Sequence, residues 1–242
     1  MLVTSLSVDS TMSTFSGHHQ QAWQQMSSSF QSVRSFSHDC QPQTKIFIFS
    51  VLTHCPMCGN VVDQSSVTSP VARYPSPFLS AHGVPYSLVI KPTVGDFLTS
   101  YGPGKNLHTG LTTSKGSVYS FDESGVHSES TGWHQCLTVP LVEEYDEEMK
   151  NGWDGRLAEA AADPQWCRER YQDDRHNCFD FVISFLEFIG CNPIQPECNQ
   201  PITRENFCRD LIMPVTSRAA GYIGIYQSID KYGFLVQQTA KR

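Results

Sequence analysis

Two short strings carry the residue types of nucleophilic chemistry. His176-Asn177-Cys178 opens the most apolar helical stretch of the chain, and Leu107-His108-Thr109-Gly110-Leu111 stands upstream, with His108 and Cys178 70 positions apart. A cysteine in the first turn of a helix sits in the positive field of unpaired backbone N–H groups, which favours thiolate over thiol. An imidazole brought to it from a neighbouring strand completes an activated nucleophile, taking the thiol proton and later donating one to the leaving group. The N–H of Cys178 would then help to hold the developing oxyanion. Asp122, His127, Gln135 and Asp180 are the candidates for orienting the His108 ring, Asp180 being the poor one because it lies on the polar side of its helix. The competing reading of Cys178 is packing. Cys178, Val182, Phe185 and Ile189 share an apolar helix face opposite Asp180, Ser184 and Glu187, so the thiol points into the fold, as most free cysteines do.

A second constellation is Cys55-Pro56-Met57-Cys58-Gly59. Two thiolates separated by two residues grip one metal ion, and the glycine permits the tight turn. His38 and Cys40, returned to this knuckle by the strand-like residues 45–52, supply the other half of the site, with His54 as a substitute. Four protein ligands leave no position for water, so the expected ion is a structural Zn2+. The alternatives are a cysteine-rich turn without metal and a redox-active pair, for which the βαβ context is missing.

The elements that would position these groups follow from periodicity. Residues 45–52, 87–90, 107–113, 117–121 and 133–141 read as strands, the third and fourth joined as a hairpin through Ser114-Lys115-Gly116. From Glu144 onward the pattern is helical, with an alanine-rich run stopping before Pro164, a strong helix over 178–189, an N-cap at Thr203 for a helix to 211, and a further helix over 217–232. Strands first and helices later describe an α+β fold. The expected organisation is a disordered Ser/Gln-rich tail over 1–37, a Cys/His knuckle with one strand over 38–62, a Pro/Ser-rich linker over 63–83 and an α+β domain over 84–242.

Bulk properties narrow the function classes. A net charge of −7 over 242 residues disfavours nucleic acid, whose phosphates need clustered Lys and Arg; the expected partner is a protein, as binding partner or as substrate. Nine cysteines, an odd number, together with a start that lacks the features of an export signal, point to reduced thiols in the cytoplasm or nucleus. No apolar run approaches the roughly 20 residues of a membrane span.

Around the two strings the chain resembles the permuted papain-like cysteine hydrolases. In the PPPDE desumoylating isopeptidase branch a histidine followed by a small residue opens a strand, and the next strand is aromatic and ends in glycine plus an aliphatic. The matching residues are His108-Thr109-Gly110-Leu111, Val118-Tyr119-Ser120-Phe121 and Gly125-Val126, with His176-Asn177-Cys178-Phe179 matching the nucleophile string. The lecithin:retinol acyltransferase-like and NlpC/P60 branch shares only the Asn-Cys pair and a strand histidine. This resemblance covers residues 107–189 and implies an antiparallel sheet packed with helices, Cys178 as nucleophile and His108 as base. From His38 onward, the order of a His/Cys segment, a Cys-Pro-x-Cys-Gly turn, a His-x-Gly strand and a His-Asn-Cys-Phe helix resembles the makorin opposite-strand protein family, which implies that the segments form one evolutionary unit. The function expected is that of a non-enzymatic or degenerate papain-like module acting through protein interaction, the alternative being a thiol-dependent, isopeptidase-like hydrolase.

Overall fold

The computed structural model describes residues 30–102, 104–144, 146–194 and 200–239. The first 29 positions of the expected tail lie outside the described residues. The described residues from Ser32 onward form one compact unit. Among the described residues two antiparallel sheets are present: one has the order β3-β1-β2-β9, the other β7-β6-β5-β4-β8. The smaller sheet comprises β1 (Arg34–His38), β2 (Thr44–Ile48), β3 (Val67–Arg73) and β9 (Leu235–Gln238), and the larger β4 (Ser87–Pro92), β5 (Leu107–Thr112), β6 (Val118–Asp122), β7 (Gly125–Glu129) and β8 (Leu137–Pro140). The helices are α1 (Glu147–Ala161), α2 (Cys178–Phe188), the single turn α3 (Arg204–Phe207), and α4 (Met213–Tyr232), which a π-helical segment (Cys208–Ile212) joins to α3.

Strand alternation sets the layers. In the larger sheet, Leu88, Ile90, Leu111 and Phe121 point to a core shared with Trp153 of α1 and with Phe181, Val182 and Phe185 of α2. Val89 and Val118 point the other way, onto Trp133, Ala81 and Cys136. In the smaller sheet Phe47 of β2 meets Tyr222, Ile225, Tyr226 and Ile229 of α4, while Ile46 and Ile48 face Phe36 and Cys55. Helix α4 therefore serves both cores, because its Val215, Ala219 and Ile223 belong to the first. An α+β architecture of antiparallel sheet packed with helices is what the sequence led one to expect.

The expected boundaries need correction in three places. Residues 34–37, assigned to the tail, lie in β1, which pairs with both β2 and β3. Residues 63–83, expected as a linker, contain β3; its Pro70 sits on the sheet's edge, where the missing N–H costs no ladder bond. The knuckle segment 38–62 is not separate from the domain after 84, since β2 pairs with β9 in register Thr44↔Gln238 to Phe47↔Leu235. The Phe47 face of β2 is covered by Tyr222, Ile225, Tyr226 and Ile229 of α4 together with Tyr74, and burial at roughly 25 cal/mol per Å2 of apolar surface favours that closure.

The β5–β6 hairpin turns at Gly116, whose φ is +77° and whose absent Cβ would stand 2.3 Å from the His82 carbonyl oxygen. The His82 ring locks the same turn by donating from Nδ1 to the Gly116 oxygen at 2.7 Å. Gly116→Ala is therefore expected to cost about 1–3 kcal/mol, measured as a lower urea midpoint at unchanged m value.

Candidate functional site

Where β5 begins and β6 ends, a cleft of about 460 Å3 is lined by residues including Lys91, Asn106, His108, Tyr171, Asn177 and Cys178. Cys178 reaches it as the first residue of α2, behind the N-cap Asn177. Asn177 Oδ1 accepts from the Phe179 N–H at 2.9 Å, and Asp180 accepts from the Asn177 N–H at 2.8 Å, a reciprocal cap that satisfies two orphan donors. Arg204, from α3, donates to Asn177 Oδ1 and, at 3.2 Å, to Asp180, so the helix start is clamped from a second element. His176 stacks on Trp166 at 4.6 Å between ring centres, and its Nε2–H donates to the Gln165 carbonyl at 2.9 Å.

Cys178 is 4% exposed, and the acceptor for its thiol is the Leu107 carbonyl oxygen, 4.0 Å away. Burial pushes the Cys178 pKa up, against the opposing pull of the Thr109 N–H and hydroxyl and the Phe179 N–H. The buried Thr109 Oγ1 has no hydrogen-bond partner of its own in the folded chain, so a thiolate at Cys178 would be the group that engages it.

His108 borders the same cleft, its side chain leaving β5 on the face opposite Thr109. Opposite it on β4 stands Lys91, and Lys91 Nζ lies 4.2 Å from the centre of the Trp133 ring. The His108 ring rests on that tryptophan at 5.5 Å between centres. Gly110, two residues on and so on the same face, has room for no side chain: a Cβ there would stand 3.3 Å from Trp133 and 2.8 Å from the Tyr119 carbonyl oxygen. Leu107, Thr109 and Leu111 leave by the opposite face, toward the core that α2 covers. No hydrogen bond joins Cys178 to His108. Burial and the Lys91 ammonium push the His108 pKa down to about 4, so at neutral pH the ring is uncharged and the thiol protonated.

The four candidate orienting groups are committed elsewhere. Asp122 accepts from His127 Nε2 at 3.0 Å and from the Ser124 N–H at 2.7 Å, Gln135 accepts from the Phe97 N–H at 2.8 Å, and Asp180 serves the helix cap. Sequence reasoning missed Arg204, Trp133 and Trp166. Arg204 follows the N-cap Thr203, and nothing in its local pattern marks it as a clamp on a helix 24 residues upstream, the span of its bond to Asp180.

The second constellation assembles as its ligand types suggested. His38, Cys40, Cys55 and Cys58 bring one donor atom each within 4.8 Å of one another. Cys40 Sγ and Cys55 Sγ are 3.9 Å apart, and Cys58 Sγ is 3.8 Å from His38 Nδ1. Donors about 2.3 Å from a common centre in tetrahedral directions stand ~3.8 Å from each other, so the spacing suits a four-coordinate ion. The His38 ring is 1% exposed; its Nδ1, the nitrogen facing Cys58, also lies 2.8 Å from Asp39 Oδ1 and 3.3 Å from the Cys40 nitrogen, while its buried Nε2 has no partner. His54 is outside the group; its Nδ1 contacts the Thr53 hydroxyl at 3.0 Å on the surface. The cysteines among the described residues are free thiols, and no helix among those residues is long and apolar enough to cross a membrane.

Comparison with known proteins follows the larger sheet and its helices. The model of a family described as DUF4796 C-terminal matches residues 71–229. The chain belongs to that family. Human MKRN2 opposite strand protein is 28% identical over 191 residues, which cover 79% of this chain and 84% of that protein, in accord with the expected kinship to makorin opposite-strand proteins. No solved structure matches the chain. His108 and Cys178 fall inside the DUF4796 match, whereas the four metal-ligand candidates precede it.

The depressed His108 pKa carries a sign for stability in this DUF4796 protein. The unfolded ring takes up a proton near its ordinary pKa of 6.5 and the folded ring only near 4, so stability falls as pH drops between those values and levels off below them. His108→Gln is expected to remove about 2 kcal/mol of the loss between roughly pH 7.5 and 5, measured by urea unfolding of both proteins at each pH.

Proposed function

We propose that this chain is a non-enzymatic, papain-like module that acts by binding a protein partner, and that His38, Cys40, Cys55 and Cys58 hold a structural Zn2+. The observation that carries the first part is the seating of the His108 ring on Trp133, on the face of β5 opposite Thr109, with no bond to Cys178. A thiol activated by a base needs the two within hydrogen-bond reach and the base held by a third group. Here the nucleophile candidate is a buried neutral thiol, the base candidate a neutral ring, and the orienting candidates are bound elsewhere. The order of the histidine strand before the cysteine helix supports the permuted papain-like ancestry. The shared cleft is the feature that would support an isopeptidase-like hydrolase instead.

The donor set of three thiolates and one imidazole is the chemistry of a structural zinc centre, with no place left for a reacting water. Such a centre ties the end of β1, the turn after it and the knuckle loop together, and thereby stiffens the smaller sheet. Free thiols and a thiolate metal site suit a reducing compartment, cytoplasm or nucleus.

Two measurements test this reading. A ubiquitin-like probe with a thiol-reactive C-terminus is expected to label wild type, Cys178→Ala and His108→Ala equally, and labelling that needs both residues would establish the hydrolase. Metal analysis of the purified chain is expected to find about one equivalent of zinc, lost in Cys58→Ser together with a lower melting temperature; wild-type protein with under a third of an equivalent would remove the metal from the account.

A further inference from the structure

We propose that the metal centre is also an oxidant-responsive switch, in which peroxide joins Cys40 to Cys55 and expels the ion. This rests on the zinc reading above and adds what would empty the site. Structural zinc thiolates buried from water are shielded from oxidants, but two of the three sulfurs here are not: Cys40 and Cys58 are exposed, while Cys55 is 2% exposed. Metal-bound thiols are already deprotonated, which is the form that peroxide attacks. A resolving sulfur is in place, since Cys55 Sγ lies 3.9 Å from Cys40 Sγ and needs to close by about 2 Å to make a disulfide. Elsewhere among the described residues Cys136 and Cys178 are buried and Cys167, Cys191 and Cys208 are half-buried, so the exposed thiols are those of the knuckle.

The step balances with hydrogen peroxide as the oxidant. The Cys40 thiolate attacks one peroxide oxygen and becomes a sulfenic acid while hydroxide leaves; the Cys55 thiolate then attacks the Cys40 sulfur, forming the S–S bond and releasing a second hydroxide. Two protons from solvent turn the two hydroxides into water. The sulfur pair has lost two electrons, one peroxide has gained them, and the ion, left with Cys58 and His38 alone, dissociates.

The consequence follows from where Cys55 sits. Its side chain packs in one cluster with Phe36, Ile46 and Ile48, and Phe234 and Val236 at the C-terminal strand pack against that cluster. The knuckle turn closes on Cys55 through its N–H to the Asn60 carbonyl at 2.7 Å and its carbonyl to the Gly59 N–H at 2.8 Å. Drawing Cys55 toward Cys40 therefore disturbs the knuckle and the cover that β9 gives the sheet together. Val51, Met57 and Val61, already exposed on that loop, would move with it.

The test uses the purified full chain with zinc quantified beforehand. Titration with hydrogen peroxide, followed by a colorimetric zinc chelator, is expected to release about one equivalent of zinc per equivalent of peroxide consumed. Peptide mass mapping should find the Cys40–Cys55 disulfide, dithiothreitol with added zinc should restore the bound ion, and Cys178→Ala should behave as wild type. Zinc retained at tenfold excess peroxide, or released without a Cys40–Cys55 bond, would overturn the switch while leaving the structural zinc intact. A chain that purifies without zinc would overturn the metal reading and the switch with it.

Discussion

Consecutive side chains of a β-strand leave opposite faces, and β5 stands where two packed layers meet. Leu111 and Thr109 go to the layer that α2 covers, and His108 and Gly110 go to the layer of Trp133. The glycine is what lets the tryptophan lie close to the strand, and the tryptophan gives the His108 ring its surface. A sulfur arriving with the first residue of α2 then meets the strand through the Leu107 carbonyl and the Thr109 N–H rather than through the imidazole. The charge states follow from the same packing: burial raises the thiol, burial and Lys91 lower the ring, and neither lends the other a charge.

The smaller sheet repeats the device. Phe47 of β2 faces α4, while its neighbours Ile46 and Ile48 face the layer that contains Cys55. One strand thus connects the long C-terminal helix with the layer that holds Cys55, and β9 closes the sheet on its far side. Since α4 also packs into the core of the larger sheet, the His38–Cys40–Cys55–Cys58 cluster and the cleft belong to one continuous fold.

Much of this was legible wherever the signal is local. The Ser114-Lys115-Gly116 turn lies between β5 and β6, the cap before Cys178 is formed by Asn177, and Thr203 caps α3. The convergence of His38, Cys40, Cys55 and Cys58 was readable because residue type and the Cys-x-x-Cys spacing suggest it without any knowledge of the sheet. What stayed hidden depends on pairing between distant segments. β1 is written in a serine-rich segment, Arg34-Ser35-Phe36-Ser37-His38, whose few apolar residues look like tail until β2 and β3 flank it. β9 takes its place only through Lys45↔Gln237 and its neighbouring pairs, contacts that no local pattern announces. The relation of His108 to Cys178 was hidden for a similar reason. Alternation along β5 can be read from Leu107-His108-Thr109-Gly110-Leu111, but which of the two faces α2 would cover cannot.

The claim at the centre is that the ring and the sulfur do not share a proton. An NMR titration of the His108 imidazole, in wild type and in Cys178→Ala, measures this without reference to any substrate. The ring is expected to titrate near 4 in both proteins, unmoved by removal of the thiol. A wild-type ring that remains protonated above neutral pH and falls when Cys178 becomes alanine would reveal a thiolate–imidazolium pair, and the separation by β5 would be contradicted.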